Sequence, residues 1–387
     1  MAIPIKYNWR NLVVRRTTTM LTAFSITLTV AVFVVLMALA NGLETSLSTT
    51  GHPRNVMIMR AGSQAEGFSS VSRESARIIK YLDGIAKDDR GEPFVSPESI
   101  VLTSLLREGR TQGSNVTIRG LSPDGVALRP DFKLVQGRMF RLGLREVIVS
   151  QRISQRFQNC RLGDRLKFGR GYWKVVGIFK VGTSAYNSEI WTDVEGLLSE
   201  FRRDQYNDVL VRATSADAAV RVRDQVTTDK RLHLKPVMER DYFASQMQTA
   251  TPIRIFGGLI AVLMAVGASF AAMNTMYAAV ARRSREMGTL RALGFSRASV
   301  LFSFVVESVL IAALGGTLGC LLSLGMNGVT TGTTNFTSFS EMTFDFYVSP
   351  ELLAAGMVFA VFMGLVGGFF PAWRSSRQSV VNALRSA

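Results

Sequence analysis

Four long stretches of this chain contain no Asp, Glu, Lys or Arg: residues 17–43, 255–281, 308–340 and 352–373. Each exceeds the roughly 20 residues an α-helix needs to cross the hydrocarbon core of a bilayer. Four transmembrane helices are therefore expected, and a soluble cytoplasmic protein is excluded. A pure helical bundle does not fit either, because 19% of the 387 residues are charged, so an aqueous phase must hold that charge. The formal net charge of +16 is the kind of value that points to nucleic acid, but a nucleic-acid binder does not need four spans, and no nucleic-acid partner is expected. Cys160 and Cys320 fall in different phases, which makes an intrachain disulfide improbable.

Lys and Arg in short connecting segments are retained on the cytoplasmic side. Residues 1–16 carry Lys6, Arg10, Arg15 and Arg16; the 282–297 segment carries Arg282, Arg283, Arg285, Arg291 and Arg297; the tail carries Arg374, Arg377 and Arg385. Residues 328–350 have neither Lys nor Arg. Both termini and the 282–297 loop are thus expected in the cytoplasm, and the segment from about 44 to 250 outside. That segment holds 32 basic and 24 acidic residues, which is no objection, since long domains translocate largely regardless of charge. A cleavable signal peptide is the competing reading of the first span, with Ala38-Leu39-Ala40 as a cleavage pattern. The apolar stretch from Met20 to Ala40 is, however, longer than the roughly 7–15 residues of a signal core.

The outer segment reads as mixed α and β. Strands are expected at 56–59, 100–106, 116–119, 146–149, 165–168, 173–179 and 208–212, where β-branched and apolar residues cluster. Helices are expected at 72–82, 151–157, 194–201 and 216–227, the last with Ser215 as N-cap. This alternation points to small α+β lobes rather than a sandwich. Helical stems are expected at 41–50 and 239–254, with Pro252 kinking or restarting the second.

Catalytic constellations are missing. The two histidines, His52 and His233, are far apart in sequence, with no HExxH and no Cys/His cluster, so no metal site is expected. The nearest approach to GxSxG, Gly294-Phe295-Ser296-Arg297-Ala298, lies in the cytoplasmic loop. A phosphate-cradling GxxxxGK[ST] loop needs Lys after Gly, and none of the nine lysines follows glycine. An ATP-driven process would need its engine in another polypeptide.

The most patterned stretch is Ala281–Arg297. As a helix it places Met287, Leu290 and Leu293 on one face, with Arg283, Arg285, Glu286 and Arg291 on the flanks. Gly294 suits the position just past the helix end, and Ser296 an N-cap for the next helix. Such an element is either a docking knob for a cytoplasmic partner or a basic patch resting on lipid headgroups. Within the spans, Gly315 and Gly319 form GxxxG beside Gly316, and Gly364, Gly367 and Gly368 line the last helix, where small residues allow close helix approach. Glu307 is an acid inside a span. It is read either as functional or paired at depth, or as a polar residue near the cytoplasmic boundary facing another helix.

The run Arg285-Glu286-Met287-Gly288-Thr289-Leu290-Arg291-Ala292-Leu293-Gly294 strongly resembles the REIGxLRALG signature of FtsX-like, or MacB-like, ABC transporter permeases. The tail Phe370-Pro371-Ala372-Trp373-Arg374-Ser375-Ser376-Arg377, with Val381-Asn382-Ala383-Leu384-Arg385, is similar to that family's PAxRAAR…PVEALR ending. Ile118–Asp124, Gln136–Phe140, Leu162–Arg165 and Val175–Ile178 resemble successive blocks of the MacB-type periplasmic domain, in the same order. Gln136, Asn382 and the Ser375-Ser376 pair depart from the usual residues, and the ATPase domain fused to MacB has no counterpart in this sequence.

The resemblance implies an integral membrane α-helical permease with four transmembrane helices and a large extracytoplasmic α+β domain. Its expected divisions are an amphipathic elbow at 1–16, spans at 17–43, 253–281, 298–327 and 351–373, an outer domain with stems at 44–252, a coupling helix within 282–297, a short outer loop at 328–350 and a tail at 374–387. It implies that Arg285, Glu286, Met287, Gly288, Leu290, Arg291, Leu293 and Gly294 engage a cytoplasmic ABC ATPase that binds ATP and Mg, this chain holding no cofactor. A second permease, membrane lipid, a periplasmic adaptor and an outer-membrane channel are the other implied partners, and the bacterial inner membrane the location. The implied function is mechanotransmission for efflux or for lipoprotein or lipid extraction. The alternative is a signalling subunit that activates a periplasmic partner such as a cell-wall hydrolase. An ectoenzyme is the third reading, against which the missing catalytic residues speak.

Overall fold

The structure, a computed structural model, describes residues 16–129, 131–282, 288–289, 291–335 and 337–377. The elements in chain order begin with helix α1 (Arg16–Ser48), β1 (Asn55–Arg60), α2 (Arg73–Lys80), β2 (Val95–Leu106), β3 (Gly113–Leu121), β4 (Phe132–Gly137), β5 (Glu146–Ser150) and α3 (Gln151–Arg156). There follow β6 (Arg165–Phe168), β7 (Gly171–Val181), β8 (Glu189–Asp193), α4 (Val194–Phe201), β9 (Asp208–Arg212), α5 (Ala216–Thr228), β10 (Leu234–Met238) and α6 (Glu239–Ser245). Helices α7 (Ala250–Arg282) and α8 (Arg297–Leu324), strands β11 (Thr330–Thr334) and β12 (Glu341–Asp345), and helix α9 (Pro350–Ser376) follow among the described residues. Two compact units result: a membrane unit of Met1–Asn41, Pro252–Val329 and Phe346–Ala387, and an outer unit of Gly42–Thr251 and Thr330–Asp345.

Among the described residues, four helices are long and apolar enough to cross a membrane: Thr19–Ser48, Thr251–Ala281, Arg297–Leu324 and Pro350–Arg374. Their apolar character runs all round, so packing decides which face turns inward. On α1, Ile26, Val30, Val34 and Ala38 recur every fourth residue and are buried, while Met20, Leu21, Phe24 and Leu28 are exposed. Glycines set the approach. A Cβ on Gly315 would lie 2.8 Å from the Ala23 carbonyl oxygen, and one on Gly319 2.8 Å from that of Thr27. Thr27 Oγ1 donates to the Gly315 carbonyl at 3.0 Å, joining α1 to α8. Along α9, a Cβ on Gly364 would meet Ala312 Cβ at 2.5 Å and one on Gly367 would meet Ala272 Cβ at 2.8 Å, while Gly368 lies against the Ser308 side chain. Gly316 faces α9 in the same way, at 2.6 Å from Ala360 Cβ.

The outer unit is built on one mixed sheet in the order β10-β1-β9-β2-β3-β8-β5-β7-β4, with β6 added on β7. Strand β2 joins two lobes, pairing with β9 through Val95–Glu98 and with β3 through Ser99–Leu106. On one side of it, Val56, Ile58, Ile79, Val209, Val211 and Val222 form a core under α2 and α5. On the other, Val116, Ile118, Val149, Phe157, Trp173 and Ile190 form a second core. Ser72, Ser150, Asp193 and Ser215 each cap a helix by accepting a backbone N–H three residues on.

Strands β4, β8 and β10 escape the sequence pattern for different reasons. β4 is almost wholly exposed and contains a bulge between Leu134 and Gln136. β8 is buried on both faces although it begins with Glu189 and ends with Asp193. β10 carries Pro236 and lies at the sheet edge, where a missing N–H is tolerated. Pro252 sits in the first turn of α7, after a tight turn at Gln246–Thr249; there proline costs the helix no internal bond. The 328–350 connection, expected as a short loop, contains an antiparallel hairpin, β11 on β12, which belongs to the outer unit.

Replacing Gly315 or Gly319 with Leu should lower the melting temperature of the detergent-purified chain, because overpacking at a closed contact costs about 1–3 kcal/mol. Gly258→Leu and Gly267→Leu, where an added Cβ meets nothing within 4 Å, should leave it near the wild-type value.

Candidate functional site

Of the residues singled out in the 282–297 connection, Arg285, Glu286, Met287 and Leu290 lie outside the described residues. Gly288 is buried, and Leu293 is 68% exposed. Gly294 has φ +96, a left-handed conformation that glycine adopts without a Cβ clash, and its N–H donates to the Arg291 carbonyl at 3.1 Å. Ser296 Oγ then accepts the Ser299 N–H at 3.2 Å and starts α8. Arg291 Nη1 donates to the Ser376 carbonyl at 3.3 Å, so this connection is tied to the last turn of α9. Glu307 is 5% exposed and turned into the membrane unit, on a buried face with Ser303, Phe304 and Ile311.

The strongest electrostatics lie in the outer unit, in a cluster with no sequence signature. Arg119, on β3, is 2% exposed. Its Nη2 donates to Glu66 Oε2 and Glu189 Oε1, each at 2.7 Å, its Nη1 to Glu98 Oε2 at 2.8 Å and its Nε to Glu189 Oε2 at 2.8 Å. Arg129 grips Glu98 through both terminal nitrogens, at 2.9 and 2.8 Å, and its guanidinium lies 4.4 Å from the Tyr186 ring centroid. Tyr186 donates to Glu239 at 2.5 Å, and Glu239 also accepts from the His52 N–H and from Asn55.

Three buried acids, Glu66, Glu98 and Glu189, therefore share two arginines, and a fourth, Asp208, is buried beside them. Burial raises the Glu98 carboxyl, but Arg129 and Arg119 outweigh it and hold it below the usual range. Neither oxygen of Asp208 has a hydrogen-bond partner, and burial, with Glu66 and Glu98 nearby, pushes it well above the usual range into its neutral form. Glu66 is raised to about 7, chiefly by burial, with Arg119 opposing.

The hairpin is held by a second set of arginines. Glu341, on β12, has a side chain 1% exposed and pairs with Arg107 at 2.7 Å and Arg156 at 3.1 Å. Arg152 pairs with Asp345 at 2.7 Å and donates to the Thr343 carbonyl, and Ser188 Oγ accepts the Thr343 N–H at 2.7 Å. The signal open to a sequence reading was the four-residue spacing of Arg152 and Arg156 on one helix face, together with the acids at 341 and 345.

Comparison with known proteins decides the family. Residues 19–229, more than half of the chain, match the MacB-like periplasmic core domain, and residues 258–380 match the FtsX-like permease C-terminal region. The chain belongs to the MacB-like, FtsX-like ABC transporter permeases. It is 23% identical to the ABC transporter permease YknZ of Bacillus subtilis (strain 168) over 94% of each chain. To the macrolide export ATP-binding/permease protein MacB of Sodalis glossinidius it is 25% identical over 96% of its own length, but it spans only 58% of that protein. Solved structures of the extracellular domain of YknZ and of the periplasmic region of MacB from Actinobacillus actinomycetemcomitans match 47% and 50% of the chain, at 19% and 13% identity and TM-scores of 0.34 and 0.37. The permease is thus an integral membrane protein with four spans and an extracytoplasmic α/β domain, of a family that works with ATPase partners.

Arg119→Met should destabilise the full chain by about 3–5 kcal/mol, the cost of leaving buried carboxylates without their partner. The double variant Arg119→Met, Glu66→Gln should recover part of that loss, read as the shift in denaturation midpoint.

Proposed function

We propose that this permease couples a separate cytoplasmic ATPase to conformational change of its outer domain, and so drives export or extraction of a periplasmic or outer-leaflet substrate. The observation that carries this reading is the match over 94% of both chains to a protein named a permease, set against matches that cover only part of proteins named ATP-binding/permease. ATP and Mg are then bound by the partner. On this reading the termini and the 282–297 connection are cytoplasmic, in the bacterial inner membrane, as the Arg distribution favours.

Residues 283–296 are the coupling element, with Met287 and Leu290 as apolar contacts and Arg285, Glu286 and Arg291 at the rim. The bond from Arg291 to Ser376 supports transmission from this element to α9. At the far end of α8 and α9, the chain between them is the hairpin gripped by Arg107, Arg152 and Arg156. Motion of these two helices therefore has a charged handle within the outer unit. A second permease chain, lipid, an adaptor and an outer-membrane channel complete the proposed assembly.

Met287→Glu and Leu290→Glu, each placing a charge in an apolar contact, should abolish co-purification of the proposed ABC ATPase partner and its transport-linked ATP hydrolysis, with the melting temperature unchanged. Intact assembly and hydrolysis in both variants would sink the coupling assignment. Stimulation of hydrolysis by a cell-wall hydrolase and by no solute would favour signalling instead.

A further inference from the structure

The charge of the outer unit is unevenly placed. From Phe132 to Val181, the stretch that runs from β4 to β7, the chain carries twelve Lys and Arg against two acids, Glu146 and Asp164. Five of these cations are met by carboxylates: Arg138 by Glu146, Arg145 by Glu200, Arg152 by Asp345, Arg156 by Glu341 and Arg161 by Glu108. Among the described residues, Arg141, Arg165, Lys167 and Lys174 form no ion pair, and all four are exposed.

Strand register gathers three of these unpaired cations on one face. Side chains alternate along β6 and β7, so that Leu166, Phe168, Trp173 and Val175 turn into the second core while Arg165, Lys167, Tyr172 and Lys174 turn away from it into solvent. Arg165 stands directly opposite Lys174, and Lys167 opposite Tyr172. Across from Lys174 on its other side is Glu146 of β5, but Arg138 already holds both oxygens of that carboxylate. Like charges directly opposite each other in an antiparallel pair destabilise it, so the isolated domain carries an uncompensated repulsion between Arg165 and Lys174.

Apolar groups are exposed among these cations. Tyr172 is 59% exposed, with the Lys167 ammonium nitrogen 5.9 Å from its ring centroid. Gly177 shares the face of Lys174, because their β5 partners, Ile148 and Glu146, lie on the same side of that strand. Leu134, 37% exposed, covers Gly177, where an added Cβ would lie 3.1 Å from its Cδ1. Leu162, 45% exposed, stands beside Gly137, the β4 partner of Gly177. A phosphate polymer or a layer of lipid headgroups would meet the cations and leave these side chains unused. A twofold contact between copies of the chain would set the same cations against one another. An aromatic ring and aliphatic side chains beside arginine are instead the composition of a protein interface.

We infer that the face formed by Arg165, Lys167, Tyr172 and Lys174 docks an extracytoplasmic protein whose surface sets carboxylates around an apolar spot. A carboxylate placed between Arg165 and Lys174 relieves their repulsion, while Tyr172, Leu134 and Leu162 supply the apolar contact. Charge complementarity of this kind speeds encounter and selects the partner more than it adds affinity. Docking at this face requires neither an ATPase nor transport, and so goes beyond the function proposed above.

The test places the photocrosslinking residue p-benzoylphenylalanine at Tyr172 or, as a control, at Val220 on α5, 40% exposed in the other lobe, in native cells producing the full chain. Irradiation should give a discrete protein adduct at Tyr172, roughly tenfold or more above that at Val220, and the crosslinked peptide of the partner should carry more Asp and Glu than Lys and Arg. Arg165→Glu replaces like charges across the strands with opposite ones, so the purified chain should melt no earlier than wild type while the adduct falls roughly tenfold. Absence of an adduct at Tyr172, an adduct to lipid, to a second copy of this chain or to a peptide without excess acid, or a protein adduct that persists in Arg165→Glu, would overturn the inference. Should Arg165→Glu melt early, Lys167→Glu decides: a lost adduct supports the face and a retained one overturns it.

Discussion

Hydrocarbon offers a peptide group no hydrogen-bond partner except another peptide group, and this constraint governs half of the permease. It makes the chain helical wherever a charge-free run crosses the bilayer, before any side chain is considered. It also removes the hydrophobic drive between helices, since lipid solvates Leu as well as another helix does. What remains is contact at short range, and the glycines provide it. Gly315 and Gly319 let α1 lie close enough for Thr27 to reach the Gly315 carbonyl, while Gly364, Gly367 and Gly368 seat α9 against α7 and α8.

The outer unit meets a different problem. Its sheet is long and carries two cores, and the strand that joins them, β2, holds Glu98 at the point where its pairing passes from β9 to β3. Arg119 and Arg129 converge on that carboxylate, and Arg119 also reaches Glu66 and Glu189. Buried ion pairs are weak evidence for net stability, but a planar guanidinium with several fixed donors imposes geometry. The cluster holds β2, β3, β8 and the turn at Glu66 in one arrangement. Its excess of acid is settled by holding Asp208 neutral and by raising Glu66 to about 7.

Much of the secondary structure was legible. The helix Val194–Phe201 coincides with the range read from its pattern, and Ser215 caps α5, because both depend on local hydrogen bonds and local periodicity. The strands that escaped are those whose burial comes from elsewhere in the chain. Glu189 in β8 is acceptable in a fully buried strand only because Arg119, 70 residues away, meets it. The hairpin escaped for the same reason. Its threonines and glycine read as a loop until Arg107, Arg152 and Arg156 are seen to bind its acids.

The sequence by itself determined what depends on composition and neighbours: four spans, an aqueous domain between the first two, the helix caps, and a family resemblance carried by short contiguous motifs. Tertiary structure alone decided which faces of uniformly apolar helices turn inward, and that the short link between the last two spans belongs to the outer unit. It alone decided that three buried glutamates share two arginines while Asp208 beside them has no hydrogen-bond partner. These outcomes rest on charges and backbones brought together from distant positions, and pairing over such distances leaves no periodicity for a sequence to display.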